Sequence, residues 1–176
     1  MNDATVSCVL LADRHHSLTE GIRGLLETVF STVFMVADEA SLIEGAQHLR
    51  PSVIVADLSL ARSDSLAFVR RLRERAGHSK VLMLSVHDEP SVARSAIAAG
   101  ADGVVLKRAI ATDLLTGIES LLGGSRFVSP AMRGESGHGL SAGSPTGGLI
   151  PPPASPHSID DTMAKILHAG TPEDQG

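Results

Sequence analysis

Four polar residues stand at matching places in this chain, each directly after a short apolar run: VLLAD ends in Asp13, VIVAD in Asp57, VLMLS in Ser85 and VVLK in Lys107. Two carboxylates, a hydroxyl and an amine brought to one place suit transfer of a phosphoryl group onto a carboxylate. An aspartate can take the group as an acyl phosphate. The transferring group spreads negative charge over its oxygens, so the protein's work is positioning, and aiming cations and donors at those oxygens. In that chemistry Asp57 is the nucleophile, Lys107 a fixed positive charge and Ser85 a hydroxyl donor. Asp13 is a hard oxygen ligand for Mg²⁺, an ion that binds through one or two carboxylates together with phosphate oxygens and water. Singly, each residue has a plainer reading: an aspartate after a strand is often a helix cap, and a lone serine or lysine an ordinary loop residue. Their shared register is what sets them apart.

The segments that must hold these residues alternate between two hydrophobic periods. Val6 to Ala12 reads as a strand, and the helix after it carries Leu18, Ile22, Leu25, Leu26 and Val29 on one face, with Ser17 and Glu20 predicted as its capping box. Val33 to Asp38 is the second strand; Ser41 and Glu44 repeat the capping pattern ahead of Leu42, Ala46 and Leu49, and Pro51 stops that helix. Val53 to Asp57 precedes SLAFVRRLRERAG, a helix with Leu66, Val69 and Leu72 inward, ended at Gly77. Its Arg70, Arg71, Arg73, Glu74 and Arg75 read as a solvated outer face rather than a nucleic-acid patch, because no aromatics interleave. Lys80 to Ser85, a helix opened by DEP, Gly103 to Lys107 and a helix with Ile110, Leu114, Ile118 and Leu121 complete five strand and helix pairs. Such alternation predicts an α/β fold with a five-stranded parallel sheet, doubly wound, whose strand ends share the one edge where open α/β sheets bind ligands.

Composition narrows the functions further. The 176 residues, 43% of them hydrophobic, can bury one core of ordinary size. A net charge of −5 gives no basic footprint for nucleic acid. The lone Cys8 excludes a disulfide framework and reads as a small packing residue. No window is long and apolar enough to span a membrane, and MNDATVS lacks the pattern of a secretory signal, so a cytoplasmic protein is expected. From Gly123 onward Gly, Ser and Pro accumulate, with too few apolar residues to offset the entropy of ordering them. The expected division is therefore a folded domain over 1–127 and a disordered tail over 128–176, in which only 159–168 has helical spacing. His15 and His16, adjacent in sequence and without further Cys or His at ligand spacing, do not read as a metal pair.

Taken in order and spacing, VLLAD followed by a histidine, VIVADLSL, VLMLS and GADGVVLK resemble the receiver domain of bacterial two-component response regulators of the NarL/FixJ type, over roughly Val6 to Pro130. The resemblance implies a flavodoxin-like sheet with Asp57 as phosphoacceptor, Ser85 and Lys107 as the switch pair, and Mg²⁺ held by Asp13, Asp57 and the backbone carbonyl of Ser59. It also places Ser59 and His87 where the family tunes the lifetime of the phosphoryl group. Three departures stand out. The family's second acid is replaced by Arg14, and a guanidinium cannot ligate a metal and repels one. Val104 stands where an aromatic reporting phosphorylation is usual, and ARSDS, with Ala61 and Ser65, replaces a loop rich in Pro and Gly.

The expected function is a stand-alone receiver in a phosphorelay. It takes its phosphoryl group from a sensor histidine kinase or phosphotransfer protein and switches protein contacts near the fourth helix and fifth strand. Direct DNA binding is not expected, since no second periodic helical set follows. The downstream partner and homodimer formation are left open, and the domain is not expected to turn over an independent substrate as an enzyme would. The alternative is a phosphorylation-independent pseudo-receiver in which Arg14 replaces the metal-binding acid and pairs with Asp57. A flavodoxin-like cofactor enzyme is disfavoured, because DRHHS lacks a phosphate-cradling glycine and the chain has no Trp or Tyr to sandwich a flavin.

Overall fold

In the computed structural model, which describes residues 8–134, the apolar runs become parallel strands separated by helices. In chain order these are β1 (Cys8–Ala12), α1 (His16–Leu26), β2 (Thr32–Val36), α2 (Glu39–Leu49), β3 (Val53–Asp57) and α3 (Ser65–Arg75). They continue with β4 (Lys80–Ser85), α4 (Pro90–Ala99), β5 (Gly103–Leu106), α5 (Ile110–Leu122) and the short β6 (Phe127–Val128). The strand order is β2-β1-β3-β4-β5-β6, all parallel, so the direction of winding reverses between β1 and β3. Ligand sites of such sheets lie at that reversal, beyond the strands' C-terminal ends.

β1, β3, β4 and β5 are covered on both faces, which explains their unbroken apolar runs, while β2 at the edge leaves Phe34 and Met35 more than a third exposed. Alternate residues serve different cores. Leu10, Ala12, Ile54 and Ala56 pack with Leu42 of α2, Phe68 and Leu72 of α3 and Ala96 of α4. Val9, Leu11, Val53 and Val55 pack with Ile22 and Leu26 of α1 and Leu114, Ile118 and Leu121 of α5. No helix among the described residues is long and apolar enough to cross a membrane.

The sheet has six strands among the described residues, not the five expected. β6 lies beside β5, with Gly103 opposite Phe127 and Val104 opposite Val128. The boundary read at 127 therefore falls inside the folded part: Ser129 is fully buried and Met132 is 1% exposed. The Ser129 hydroxyl accepts from the Leu106 amide at 3.0 Å and donates to Asp113 at 2.6 Å, tying the segment to β5 and α5. The expected disorder and the segment at 159–168 lie outside the described residues.

Two glycines make room for β6. A Cβ at Gly103 would stand 2.8 Å from Leu82 Cδ1 and 2.9 Å from the Phe127 carbonyl oxygen, and one at Gly117 would stand 3.0 Å from the Phe127 ring. Gly103→Ala will therefore push β6 off the edge or distort β4. Overpacking of this kind costs about 2 kcal/mol, to be read from the urea midpoint of the variant against the natural chain.

Helix entries depart from the predicted capping boxes. α1 begins at His16, so Ser17 lies inside the helix, and its N-cap His15 offers no side-chain bond. In α2 the cap is Asp38, whose carboxylate accepts from the Ser41 amide at 2.8 Å. Asp64 caps α3 through the amides of Leu66 and Ala67. On the outer face of α3, Arg70, Arg71, Glu74 and Arg75 are exposed as expected, and Arg73 is half-buried. Arg73 donates to Asp102 at 3.1 Å and to the Ser79 carbonyl at 3.0 Å, and Arg71 pairs with Glu39.

Candidate phosphoacceptor site

The C-terminal edge gathers side chains from three strands that are adjacent or nearly so in the sheet. Asp13 follows β1, Asp57 ends β3 and Lys107 follows β5. All three are withdrawn from solvent: Asp13 and Asp57 are 4% and 1% exposed, and the Lys107 side chain 9%. The Lys107 ammonium donates to Asp13 Oδ2 and to Asp57 Oδ2, each at 2.7 Å. Burial alone pushes the Lys107 ammonium toward losing its proton, but hydrogen bonds and charge from Asp13 and Asp57 outweigh it and hold it above its ordinary range. Burial likewise pushes the Asp13 carboxyl up. The bonds from Lys107 and from the His15 amide and ring outweigh that and hold it below the usual carboxylate range.

Asp57 is set by the turn that follows it. The Ser59 amide donates to Asp57 Oδ1 at 2.9 Å and the Ser59 hydroxyl donates to Oδ2, fixing the plane of the carboxylate at the mouth of the site. Beside it opens a cleft of about 360 Å³, lined in part by Asp57, Ser59, Ser65, Ser85, His87 and Ser91. Ser85, 1% exposed, exchanges hydrogen bonds with the backbone of His87. The His87 ring stands 68% exposed at the rim. Val104 is fully buried in the core shared with α4.

Arg14 does not pair with Asp57, as the alternative reading required. It donates to the Leu60 carbonyl at 2.6 Å and lines a shallow hollow with Asp38, Glu39 and Arg62. A long cation beside two buried acids already served by Lys107 gains more from an outlying carbonyl and open solvent than from a third place in the cluster. His15, set aside in sequence as a metal residue, does face the site. Its Nδ1 lies 2.9 Å from Asp13 Oδ1 and 3.8 Å from Asp57 Oδ2. Search by Cys and His spacing misses it because its companions are carboxylates from different strands. Asp13, His15 and Asp57 each offer one ligand atom, all within 4.8 Å of one another, so the donor set fits a divalent cation.

An acid pair, a bridging lysine and a hydroxyl on the edge of a 2-1-3-4-5-6 sheet have a counterpart among known families. Residues 9–119 match the response regulator receiver domain. The chain belongs to the response regulator receivers. This receiver is 33% identical over 131 residues to the nitrate/nitrite response regulator protein NarP of Escherichia coli, covering 73% of the chain and 61% of NarP. It is 29% identical over 125 residues to the transcriptional regulatory protein MctR of Rhizobium johnstonii, covering 69% of the chain and 58% of MctR. The receiver thus spans about three-fifths of the length of these relatives. A two-component response regulator of the LuxR family from Aurantimonas superposes with a TM-score of 0.66 at 29% identity, over 72% of this chain and 91% of that one. The isolated receiver domain of RcsB from Salmonella shares the flavodoxin-like fold, with a TM-score of 0.64 at 24% identity over 71% of this chain and 94% of that one.

Proposed function

We propose that this receiver accepts a phosphoryl group on Asp57 from the phosphohistidine of a sensor kinase or phosphotransfer protein and answers by changing its contacts with another protein. The observation that carries the reading is the pair of 2.7 Å bonds from Lys107 to Asp13 and Asp57 beside a hydroxyl-lined cleft. Asp57 attacks phosphorus through a carboxylate oxygen, the phosphorus–nitrogen bond of the donor breaks, and the imidazole leaves with a proton. Lys107 then meets a phosphoryl oxygen in place of Asp57 Oδ2, and Ser85 gives up its bond to the His87 backbone to donate to another. A divalent cation, Mg²⁺ by family resemblance, would be held by Asp13 and Asp57 and would neutralise charge on the group as it transfers.

The proposed setting is cytoplasmic, and the output is a protein contact near α4 and β5. The domain acts once on itself and is not an enzyme with a separate substrate. Val104 leaves no ring to swing between buried and exposed positions, so the response runs through Ser85 and the turn into α4.

Intact-protein mass after incubation with acetyl phosphate and Mg²⁺ tests the reading. The natural chain should gain one phosphoryl group, and Asp57→Asn should gain none. A natural chain that gains nothing under any divalent ion is the pseudo-receiver instead, its site held by Lys107 alone.

A further inference from the structure

We infer that His15 is a ligand of the cation site, which makes it a mixed nitrogen and oxygen site that selects a transition-metal ion such as Mn²⁺ or Co²⁺ over Mg²⁺. The inference rests on the reading of Asp13 and Asp57 as a cation site and adds which ion that site takes. The position where an acid would complete an all-oxygen set holds Arg14, whose guanidinium is turned out to the Leu60 carbonyl at 2.6 Å. The next residue supplies the missing donor. His15 Nδ1 lies 2.9 Å from Asp13 Oδ1 and 3.8 Å from Asp57 Oδ2. Metal bonds of about 2.1 Å set neighbouring ligand atoms roughly 3.0 to 3.4 Å apart in octahedral or tetrahedral sites; the separation from Asp13 is close to this, and an ion would replace the hydrogen bond between Nδ1 and Asp13 and draw Asp57 in from 3.8 Å.

The ring is not there by accident of a mobile side chain. The His15 amide donates to Asp13 Oδ1 at 2.8 Å, and the His15 carbonyl caps α1 by accepting from the Thr19 amide and hydroxyl at 3.0 and 2.8 Å. Backbone and ring are therefore both referred to the same carboxylate. Imidazole suits first-row transition metals, whereas Mg²⁺ takes oxygen donors and parts with its waters reluctantly. An aspartate at position 14 would have kept the set hard; an arginine there with a histidine beside it softens it.

All-oxygen sites also favour later metals to some degree, so the decisive readout is the difference that His15 makes. Calorimetric titration of the full unphosphorylated chain with MgCl₂, MnCl₂ and CoCl₂ provides it. His15→Ala and His15→Gln keep the backbone bonds, and the ring is 62% exposed, so both variants should fold. Each should weaken Co²⁺ and Mn²⁺ at least tenfold while leaving Mg²⁺ within about twofold. Co²⁺ affinity unchanged in both variants, or Mg²⁺ and Co²⁺ weakened equally, overturns the inference. Because the titration needs no phosphoryl transfer, the two readings fail separately. Selective loss of Co²⁺ in a chain that never gains phosphate sinks only the proposed function, and phosphoryl uptake in a chain indifferent to His15 sinks only this inference.

Discussion

Lys107→Met will cost the domain about 3 kcal/mol of stability at neutral pH, because it removes an ammonium shared by two carboxylates that are themselves almost wholly buried. Methionine preserves the bulk of the lysine stem, so the loss reads charge rather than packing. The sign of the pH dependence follows from the two shifted groups. The Asp13 carboxyl is lowered in the folded chain, so its contribution is present above the ordinary value of 3.8 and fades as pH falls below it. The Lys107 ammonium is raised, so its contribution is complete below 10.5 and fades as pH climbs past that value. The gap between natural chain and variant should thus be widest between about pH 5 and 9, and should close toward both ends. Urea unfolding across that range measures it. Adding Asp13→Asn to Lys107→Met should recover part of the loss, as expected for coupled neighbours. A gap that ignores pH would mean that the ion cluster is incidental to stability.

Arg14→Asp is the change expected to act most strongly on the cation site. It exchanges a positive for a negative charge next to Asp13 and restores a third carboxylate. Beside a divalent ion that exchange is worth a few kcal/mol even at an effective dielectric constant of ~20, and screening leaves about a tenfold or larger gain in Mg²⁺ affinity. Mg²⁺ titration should show it, together with faster phosphoryl uptake from acetyl phosphate. Stability should change little, since the lost contact is a single exposed arginine bond to the Leu60 carbonyl. Unchanged Mg²⁺ affinity would mean that the outward turn of Arg14 already insulates the site.

Much of the architecture was legible because the central strands are buried on both faces and the helices on one. The two periods separate cleanly, and the polar residue closing each apolar run had to fall on one edge. Asp13, Asp57 and Lys107 were placed together on that basis. β6 was not legible, since two residues carry no period; only the bare backbone at Gly103 and Gly117 reveals that a strand and the Phe127 ring must fit there. The caps were misplaced by short-range competition: Asp38 stands three residues ahead of Ser41 and takes its amide, so the box with Glu44 never forms. Arg14 and His15 show the limit of reading charge without direction. A cation beside an acid is plain in the sequence, but which of two neighbouring side chains turns into the site depends on the helix that starts at His16.

The bonds of Lys107 join it to residues 94 and 50 positions earlier in the chain. Contacts that distant form only when the intervening strands have found their order. The acceptor carboxylate therefore gains its cation only in a finished sheet, and a nascent or half-unfolded chain presents Asp57 without the groups that would let it take a phosphoryl group. On the proposed function, modification of Asp57 would in this sense be a certificate of assembly. Whatever binds the completed edge also drains the unfolded population by mass action, so occupancy of the site should lengthen the life of the protein as well as set its state.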